Sequence, residues 1–424
     1  MPSSKSHTIR ALLIAAMARE GSVIHNVLDS ADARSCIAAI TTLGASCREL
    51  ERTATGISVE VVPGGAPETA SGAVSINVGN SGTTLYLLTA LAALRRGQVH
   101  FDGDQSIRSR SAGPLLTVLR SLGAVVEGGP RAPYTVQGPL KPGGAAAVPV
   151  ESPTSQFLSA LLLAAPLIMA GAGGLRSETI LEPTVLNEHP YVDMTCWWLQ
   201  RQGIAMERQS YRRFVIPAGQ HYLPVTGTLP GDYSSATFWF CAGAMGTSGV
   251  TVLGLDPQDV QGDRGVLEIL RKLGCTIREE IRDSVPALTV TGPLTRGGTF
   301  DLNGMPDALP ALAALGCYAP GPITLENVPQ AREKETDRIA VMAKELRRLG
   351  ARVKELPAGL TVEPQPRGLT GGTVDSHGDH RVAMALAVAA LGASGAVTIR
   401  DAEAAAVTYP SFFRDLEALT EDNR

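Results

Sequence analysis

Apolar positions in this chain gather in short runs dense in alanine and leucine, apolar on nearly every helical face. A glycine-containing turn and a β-branched stretch follow each run. The pattern occurs six times. Its copies lie at Arg10–Val27, with a strand at Ser22–Val27; Thr83–Asp104, with Val99-His100-Phe101; and Gln156–Ile180. They continue at Ser235–Leu255, with Val250-Thr251-Val252-Leu253; Ala308–Val328, with Ile323-Thr324-Leu325; and Arg381–Arg400, with Val397-Thr398-Ile399. A spacing of about 70 to 80 residues marks an array of supersecondary units. Helices that are apolar all round have to be buried, so these six are predicted to form the core.

A second unit recurs between them: an amphipathic helix closing in Leu-Gly plus a small residue, then a strand. It appears at Leu43-Gly44-Ala45, Leu122-Gly123-Ala124, Leu273-Gly274-Cys275 and Leu349-Gly350-Ala351, with Gln202-Gly203-Ile204 as a degenerate member. The glycine stands where a helix ends in the left-handed region, which only glycine enters without steric cost. Further strands follow, as in Tyr134–Leu140 and Ala287–Leu294. Each unit reads strand, helix, strand, strand, helix, and six units divide into two α/β lobes of three. Pro224–Tyr233, polar and punctuated by proline and glycine, is the candidate hinge.

The chain has 424 residues, enough for two domains of roughly 200 residues each. With 44% hydrophobic and only 4% aromatic residues, the expected core is aliphatic and closely packed. A net charge of −4 gives no global attraction for nucleic acid or an acidic membrane, so any anion site must be local. The apolar stretch Phe157–Ala172 is shorter than the 18 or so residues of a spanning helix and contains Pro166, which predicts a buried helix. Cys36, Cys47, Cys196, Cys241, Cys275 and Cys317 form no C-x-x-C pair, predicting no metal site, no disulfide framework and a cytoplasmic location. Lys5 and Arg10 followed by Ala11–Ala18 look like a signal peptide, but the repeat assigns them to the first core helix.

Polar residues precede each alanine-rich run: Ser4-Lys5-Ser6 with Arg10 one turn in, Asn80-Ser81-Gly82-Thr83-Thr84, Thr154-Ser155-Gln156, Gly231–Ser235, Pro306-Asp307, and Gly378-Asp379-His380-Arg381. Ordinary helix capping accounts for Ser, Thr, Asn and Asp there. It does not account for Lys5, Arg10 and Arg381, since positive charge at the positive end of a helix is unfavourable unless an anion offsets both. A ligand with several anionic groups is the sharper reading. Two basic segments follow strands instead: Gly103–Arg110, and Arg332–Arg338, where Glu333 and Asp337 are spaced to pair with basic neighbours on a solvated helix start. There is no G-x-x-x-x-G-K-[ST] run, no G-x-G-x-x-G after a strand, no G-x-S-x-G and no H-E-x-x-H. Phosphate held by separate Lys and Arg residues and helix ends suggests a small substrate rather than a nucleotide.

The motifs Pro2–Arg10, Gly79–Thr84, Thr154–Leu158, Met305–Ala308, Lys334–Arg338 and Asp379-His380-Arg381, taken in order, resemble the EPSP synthase (3-phosphoshikimate 1-carboxyvinyltransferase) family over nearly the whole chain. The resemblance implies the enolpyruvyl transferase fold: a two-lobed, inside-out α/β barrel of six βαβαββ repeats, three per lobe, closing over substrates in a cleft. Residues 5–229 would form the first, acceptor-side lobe and residues 230–424 the second, with residues 1–4 as the remnant of a hinge strand. The implied activity is transfer of the enolpyruvyl group of phosphoenolpyruvate to the 5-hydroxyl of 3-phosphoshikimate, in the shikimate pathway of aromatic amino acid biosynthesis. A monomer without cofactor or metal is implied, acting on small molecules and not on nucleic acid or membrane.

The resemblance also implies roles. Asp307 is the base, Glu335 the acid, and Lys5 joins them in catalysis. Lys5, Ser6, Arg10, Thr154, Ser155, Gln156, Tyr191, Asp307 and Lys334 would bind 3-phosphoshikimate, with Thr154, Ser155 and Lys334 at its phosphate and Tyr191 assisting Arg10. Lys5, Asn80, Gly82, Arg110, Gln156, Arg338, His380 and Arg381 would bind phosphoenolpyruvate, with Arg338 and Arg381 at its carboxylate. A carboxylic acid beside these cations ionises readily, so Glu335 requires desolvation on lobe closure to stay protonated.

Four features depart from the family pattern. The chain reaches Lys5 without the short strand that usually leads into that motif, Tyr86 stands where many members have Arg, and Val407 replaces a Lys found in one branch. Glu188, near Tyr191, occupies a position where a phosphate-binding Ser is common, and a carboxylate beside a phosphate costs several kcal/mol unless neutralised or turned away. Asn187 or His189 could stand in after a loop re-alignment, which keeps 3-phosphoshikimate as acceptor. The alternative is a relative acting on an unphosphorylated or modified alcohol. Transfer to a UDP-amino-sugar is disfavoured, because Ser109 rather than Cys precedes Arg110. A non-catalytic anion-binding paralogue would have no need of Asp307 and Glu335.

Overall fold

The computed structural model describes residues 1–143, 146–169 and 178–421. The chain forms two compact units, one of Ser3–Leu229 and one of Pro230–Arg424 together with Met1–Pro2. The repeat is clearest in the middle of the first. Val74–Asn77 runs parallel to Gln98–Asp102, which pairs antiparallel with Tyr134–Gln137, itself antiparallel to Val125–Gly128. The helices Gly82–Ala92 and Gly113–Ser121 make the two crossovers, giving βαβαββ. The same strand order recurs in Ala147–Ser152, Glu178–Leu186, Arg213–Pro217 and Glu207–Gln209. It recurs again in the second unit, in Gly298–Asp301, Ile323–Glu326, Gly359–Val362 and Val353–Leu356.

The other three sheets vary this plan. The first sheet takes a strand from far along the chain: Thr226–Thr228, inside the segment expected as a hinge, pairs parallel to Ser22–Val27. The fourth repeat has only three strands among the described residues, Val250–Leu253, Val285–Thr291 and Thr276–Arg282. Met1 and Pro2 run along its open edge, where the Met1 amino group donates to the Leu253 carbonyl at 2.8 Å and Asp232 N–H to the Pro2 carbonyl at 2.9 Å. In the sixth, Gly372–Asp375 pairs only with Val397–Arg400. Six related α/β repeats are formed, three in each unit, and three of them depart from the full strand plan among the described residues. The helix Phe412–Glu421 packs on the core, with Phe412 fully buried against Phe238, Trp239 and Tyr409. Smaller aromatic pairs, Tyr86 with Phe157 and Phe101 with Tyr134, also interrupt the largely aliphatic interior.

In each unit the alanine-rich helices lie inside and the sheets outside. Lys5–Met17 is buried from His7 to Ala16, and Gly82–Ala92 and Ser155–Ala164 are nearly as enclosed. Tyr233–Ala244, Leu309–Gly316 and His380–Ala390 play the same part in the second unit. Small side chains let these helices approach closely. The Leu-Gly signals hold at every copy: Gly44, Gly123, Gly203, Gly274 and Gly350 take φ of 110°, 94°, 67°, 100° and 89°. The expected helix over Phe157–Ala172 stops at Ala164 and tightens into a 3₁₀ turn at Ala165–Leu167, because Pro166 has no N–H to continue it. Its last residues, 170–172, fall outside the described part. Among the described residues no helix is long and apolar enough to cross a membrane.

Candidate active site

The residues that lead into the six buried helices divide into two kinds. Ser81, Asp232 and Asp379 are plain caps, accepting from the N–H groups of Thr84, Ser235, and Arg381 with Val382. Ser4 and Thr154 make no side-chain cap. Two of the three cations at helix starts, Lys5 and Arg381, already meet carboxylates of the protein. Lys5 Nζ lies 3.4 Å from Asp32, and Arg381 Nη2 lies 2.9 Å from Asp307. Internal carboxylates already offset the charge.

In the first unit, Arg10 is buried and spread over three acceptors. Its Nε donates to Thr195 Oγ1 at 2.9 Å, Nη1 to the Ser6 carbonyl at 3.0 Å and Nη2 to the Tyr191 carbonyl at 3.2 Å. Burial lowers its pKa to about 10, against the opposing influence of Tyr191 and Cys196. Ser6 and Tyr191 thus assist Arg10 through their backbones. Nearby, Gly82 makes room for Arg110: a Cβ on Gly82 would stand 2.6 Å from Arg110 Nη1. Arg110 Nη2 donates to Ser106 Oγ at 2.8 Å. Asn80 is engaged elsewhere, with Nδ2 donating to Asp104 at 2.6 Å. Tyr86 is core, its ring edge-on to Phe157 at 5.0 Å.

At the start of Ser155–Ala164 the structure places a carboxylate. Glu188 Oε2 accepts from Thr154 Oγ1 at 3.0 Å, Ser155 N–H at 3.0 Å and Ser155 Oγ at 2.7 Å. Gln156 Nε2 donates to Thr154 Oγ1 at 3.1 Å. Neither neighbour takes the place of Glu188: Asn187 Nδ2 donates to the Pro153 carbonyl, and His189 stacks on Tyr211 at 4.2 Å.

In the second unit, one buried guanidinium gathers three carboxylates. Arg338 donates from Nε to Asp379 at 2.8 Å, from Nη1 to Asp307 at 2.8 Å and from Nη2 to Glu335 at 2.5 Å. Burial works against its charge, yet Asp379, Glu335 and Asp307 raise its pKa above the ordinary value. Burial alone would likewise raise the Asp379 carboxyl, but Arg338 holds it below the usual range. Asp307 spans Arg338 and Arg381 through its two oxygens, and Thr336 Oγ1 adds a bond to Asp379 at 3.1 Å. His380 is buried at the first position of its helix, and Lys334 is half-buried ahead of Arg338–Arg348. The pairing read from Arg332–Arg338 holds in part, with Arg332 on Asp337 at 2.7 Å. Arg338 instead turns inward.

These motifs stand in register with a known family. The model of EPSP synthase (3-phosphoshikimate 1-carboxyvinyltransferase) matches residues 1–416. The chain belongs to the EPSP synthase family. A 3-phosphoshikimate 1-carboxyvinyltransferase from Acetivibrio thermocellus is 43% identical over 425 residues, covering 100% of this chain and 95% of that protein. Among solved structures, EPSP synthase from Acinetobacter baumannii superposes with a TM-score of 0.77 at 25% identity, covering 98% of this chain and 94% of that one. The enolpyruvyl transferase NikO from Streptomyces tendae shares the fold, with a TM-score of 0.74 at 22% identity, 99% of this chain and 93% of that one covered. Like other members of the EPSP synthase family, the chain is a transferase.

Three residues that hold candidate site residues are not singled out by the sequence. Asp379 had been read only as part of a leading motif, yet it binds Arg338 and caps its own helix. Asp32, in the first turn of Ala31–Thr42, faces Lys5, and Thr195 holds Arg10. Thr195 had a usable signal, since it stands one turn after Tyr191 on the same helix face. Val407, a departure from the family pattern, ends the 3₁₀ turn Ala402–Val407.

Proposed function

We propose that the chain transfers the enolpyruvyl group of phosphoenolpyruvate to the 5-hydroxyl of 3-phosphoshikimate. The 5-oxygen bonds to C2 as C3 takes a proton, giving a tetrahedral ketal; C3 then returns a proton and the C2–O bond to phosphate breaks. The observation that carries the reading is the shared grip of Arg338 on Asp307 and Glu335. Two carboxylates on the two ends of one guanidinium stand close enough to serve neighbouring atoms of one reaction centre. Asp307 takes the hydroxyl proton, and Glu335 gives and recovers the C3 proton. The surrounding arginines stabilise the charge that develops.

In the second unit, Arg338 and Arg381 are assigned to the phosphoenolpyruvate carboxylate, with His380 beside them and Lys334 at the acceptor's phosphate. In the first, Lys5, Asn80, Gly82, Arg110 and Gln156 are assigned to phosphoenolpyruvate. Ser6, Arg10, Thr154, Ser155 and Tyr191 are assigned to the acceptor. The unpaired state of all six cysteines supports a cytoplasmic setting. The direct test is phosphate release from phosphoenolpyruvate plus 3-phosphoshikimate by purified protein. Steady release is expected; none at any pH near neutral would refute the reading.

A smaller effect follows from the tight contact at Gly82. Gly82→Ala would push Arg110 from its seat, since the added carbon meets Nη1 at 2.6 Å. The expected outcome is a KM for phosphoenolpyruvate raised about tenfold, with kcat changed far less, as for lost ground-state binding. Initial-rate kinetics with the acceptor saturating check it.

A further inference from the structure

We propose that Glu188 is a specificity-determining residue that occupies the acceptor's phosphate position and weakens the enzyme's preference for a phosphorylated acceptor. The inference rests on the enolpyruvyl-transfer reading above. Its basis is a side chain built into the place where the resemblance puts that phosphate. Glu188 is 2% exposed, and a single oxygen accepts from Thr154 Oγ1, Ser155 N–H and Ser155 Oγ. Those three donors are what a phosphate oxygen would require.

The backbone commits Glu188 to this pose. It sits at φ 58°, ψ 42°, in the left-handed region that a side chain of its size seldom adopts, at the start of His189–Arg201. Its carbonyl accepts from Tyr191 N–H at 3.0 Å, and the Tyr191 carbonyl in turn holds Arg10. The carboxylate is thus tied to the element that positions Arg10.

A carboxylate accepting two hydroxyls and a backbone N–H at a helix N-terminus already satisfies the positive end of that helix. A phosphate arriving there meets a resident negative charge and finds its donors taken, so Glu188 has to be displaced before it binds. A bare hydroxyl needs no such displacement, because it can donate to the carboxylate. Phosphorylated acceptor therefore gains less over the same alcohol without phosphate than it would beside a neutral residue at position 188.

The test compares 3-phosphoshikimate with shikimate, in the wild type, Glu188→Ser and Glu188→Gln. It measures kcat/KM by phosphate release and the Kd of each acceptor alone by calorimetry. Glu188→Ser is expected to raise the ratio of kcat/KM for 3-phosphoshikimate over shikimate about 100-fold, and the ratio of affinities similarly, as for removal of one close like charge. Glu188→Gln keeps the shape and removes the charge, so it should move both ratios the same way by about tenfold even if the serine variant folds poorly. Ratios that stay within threefold in both variants, or that fall, overturn the proposal. Absence of turnover with either acceptor in all three proteins refutes the reaction instead, and the affinity ratios then decide the role of Glu188 on their own.

Discussion

Arg338→Met is expected to destabilise the unit containing Pro230–Arg424 by about 3–5 kcal/mol at neutral pH, the range found when one partner of a buried ion pair is removed. The guanidinium is 1% exposed and serves Asp379, Asp307 and Glu335, whose side chains are 0%, 17% and 12% exposed. Methionine fills the volume but leaves Asp379 as a buried charge whose cation is gone. Asp307 and Glu335 are better placed to recover water. In the wild type the Asp379 pKa lies below its unfolded value, so its contribution is present above about pH 4 and is lost as pH falls through the folded value. In the variant the sign reverses, because burial without Arg338 raises that pKa. The gap between the proteins should be widest at pH 7 and narrow toward pH 5 as Asp379 takes a proton. Urea unfolding at the two pH values checks it; equal gaps would show that lost packing, not lost charge, sets the cost.

The scaffold was legible where local chemistry has one solution. An all-round apolar helix has to be buried, and a helix ending in Leu-Gly has to turn left-handed, so both features appear at the predicted residues. The sheets were less legible, because pairing partners are chosen by tertiary packing. Nothing near Thr226–Thr228 signals that it completes the sheet begun at Ser22–Val27, roughly 200 residues earlier. Nor does the sequence of the sixth repeat announce that Phe412 and its helix pack on the core.

The candidate residues were legible as types in order, but their partners were not. Arg338 and Glu335 are three apart and share a turn, which spacing can suggest. Asp379 lies 41 residues from Arg338, and Asp32 faces Lys5 across two helices, so neither contact has a sequence period. The excess positive charge read at the helix starts was real; its internal neutralisation was not visible. For a reaction on anions this arrangement has a use. In the proposed reaction, substrate carboxylate exchanges for protein carboxylate on the same arginines, so the cations stay compensated before and after binding.

Asp307→Asn and Glu335→Gln are each expected to lower kcat by about 10²–10⁴, the contribution of a positioned acid or base, while leaving phosphoenolpyruvate binding within a few-fold. Both amides keep an oxygen for Arg338 to bind, so the geometry around the guanidinium should survive where alanine would open space. What they lose is the ability to carry a proton. The two variants should fail at the same addition step, each at one of its two proton transfers. In the proposed mechanism Glu335 handles the proton at C3, so Glu335→Gln should abolish uptake of solvent deuterium into the methylene of phosphoenolpyruvate. In the same mechanism Asp307 handles the acceptor hydroxyl, so Asp307→Asn should block formation of the new C–O bond. Rapid-quench turnover with mass analysis of recovered phosphoenolpyruvate in deuterated solvent reads both transfers. An Asp307→Asn enzyme with near-normal turnover would remove that carboxylate from the proton path and leave it as a brace between Arg338 and Arg381.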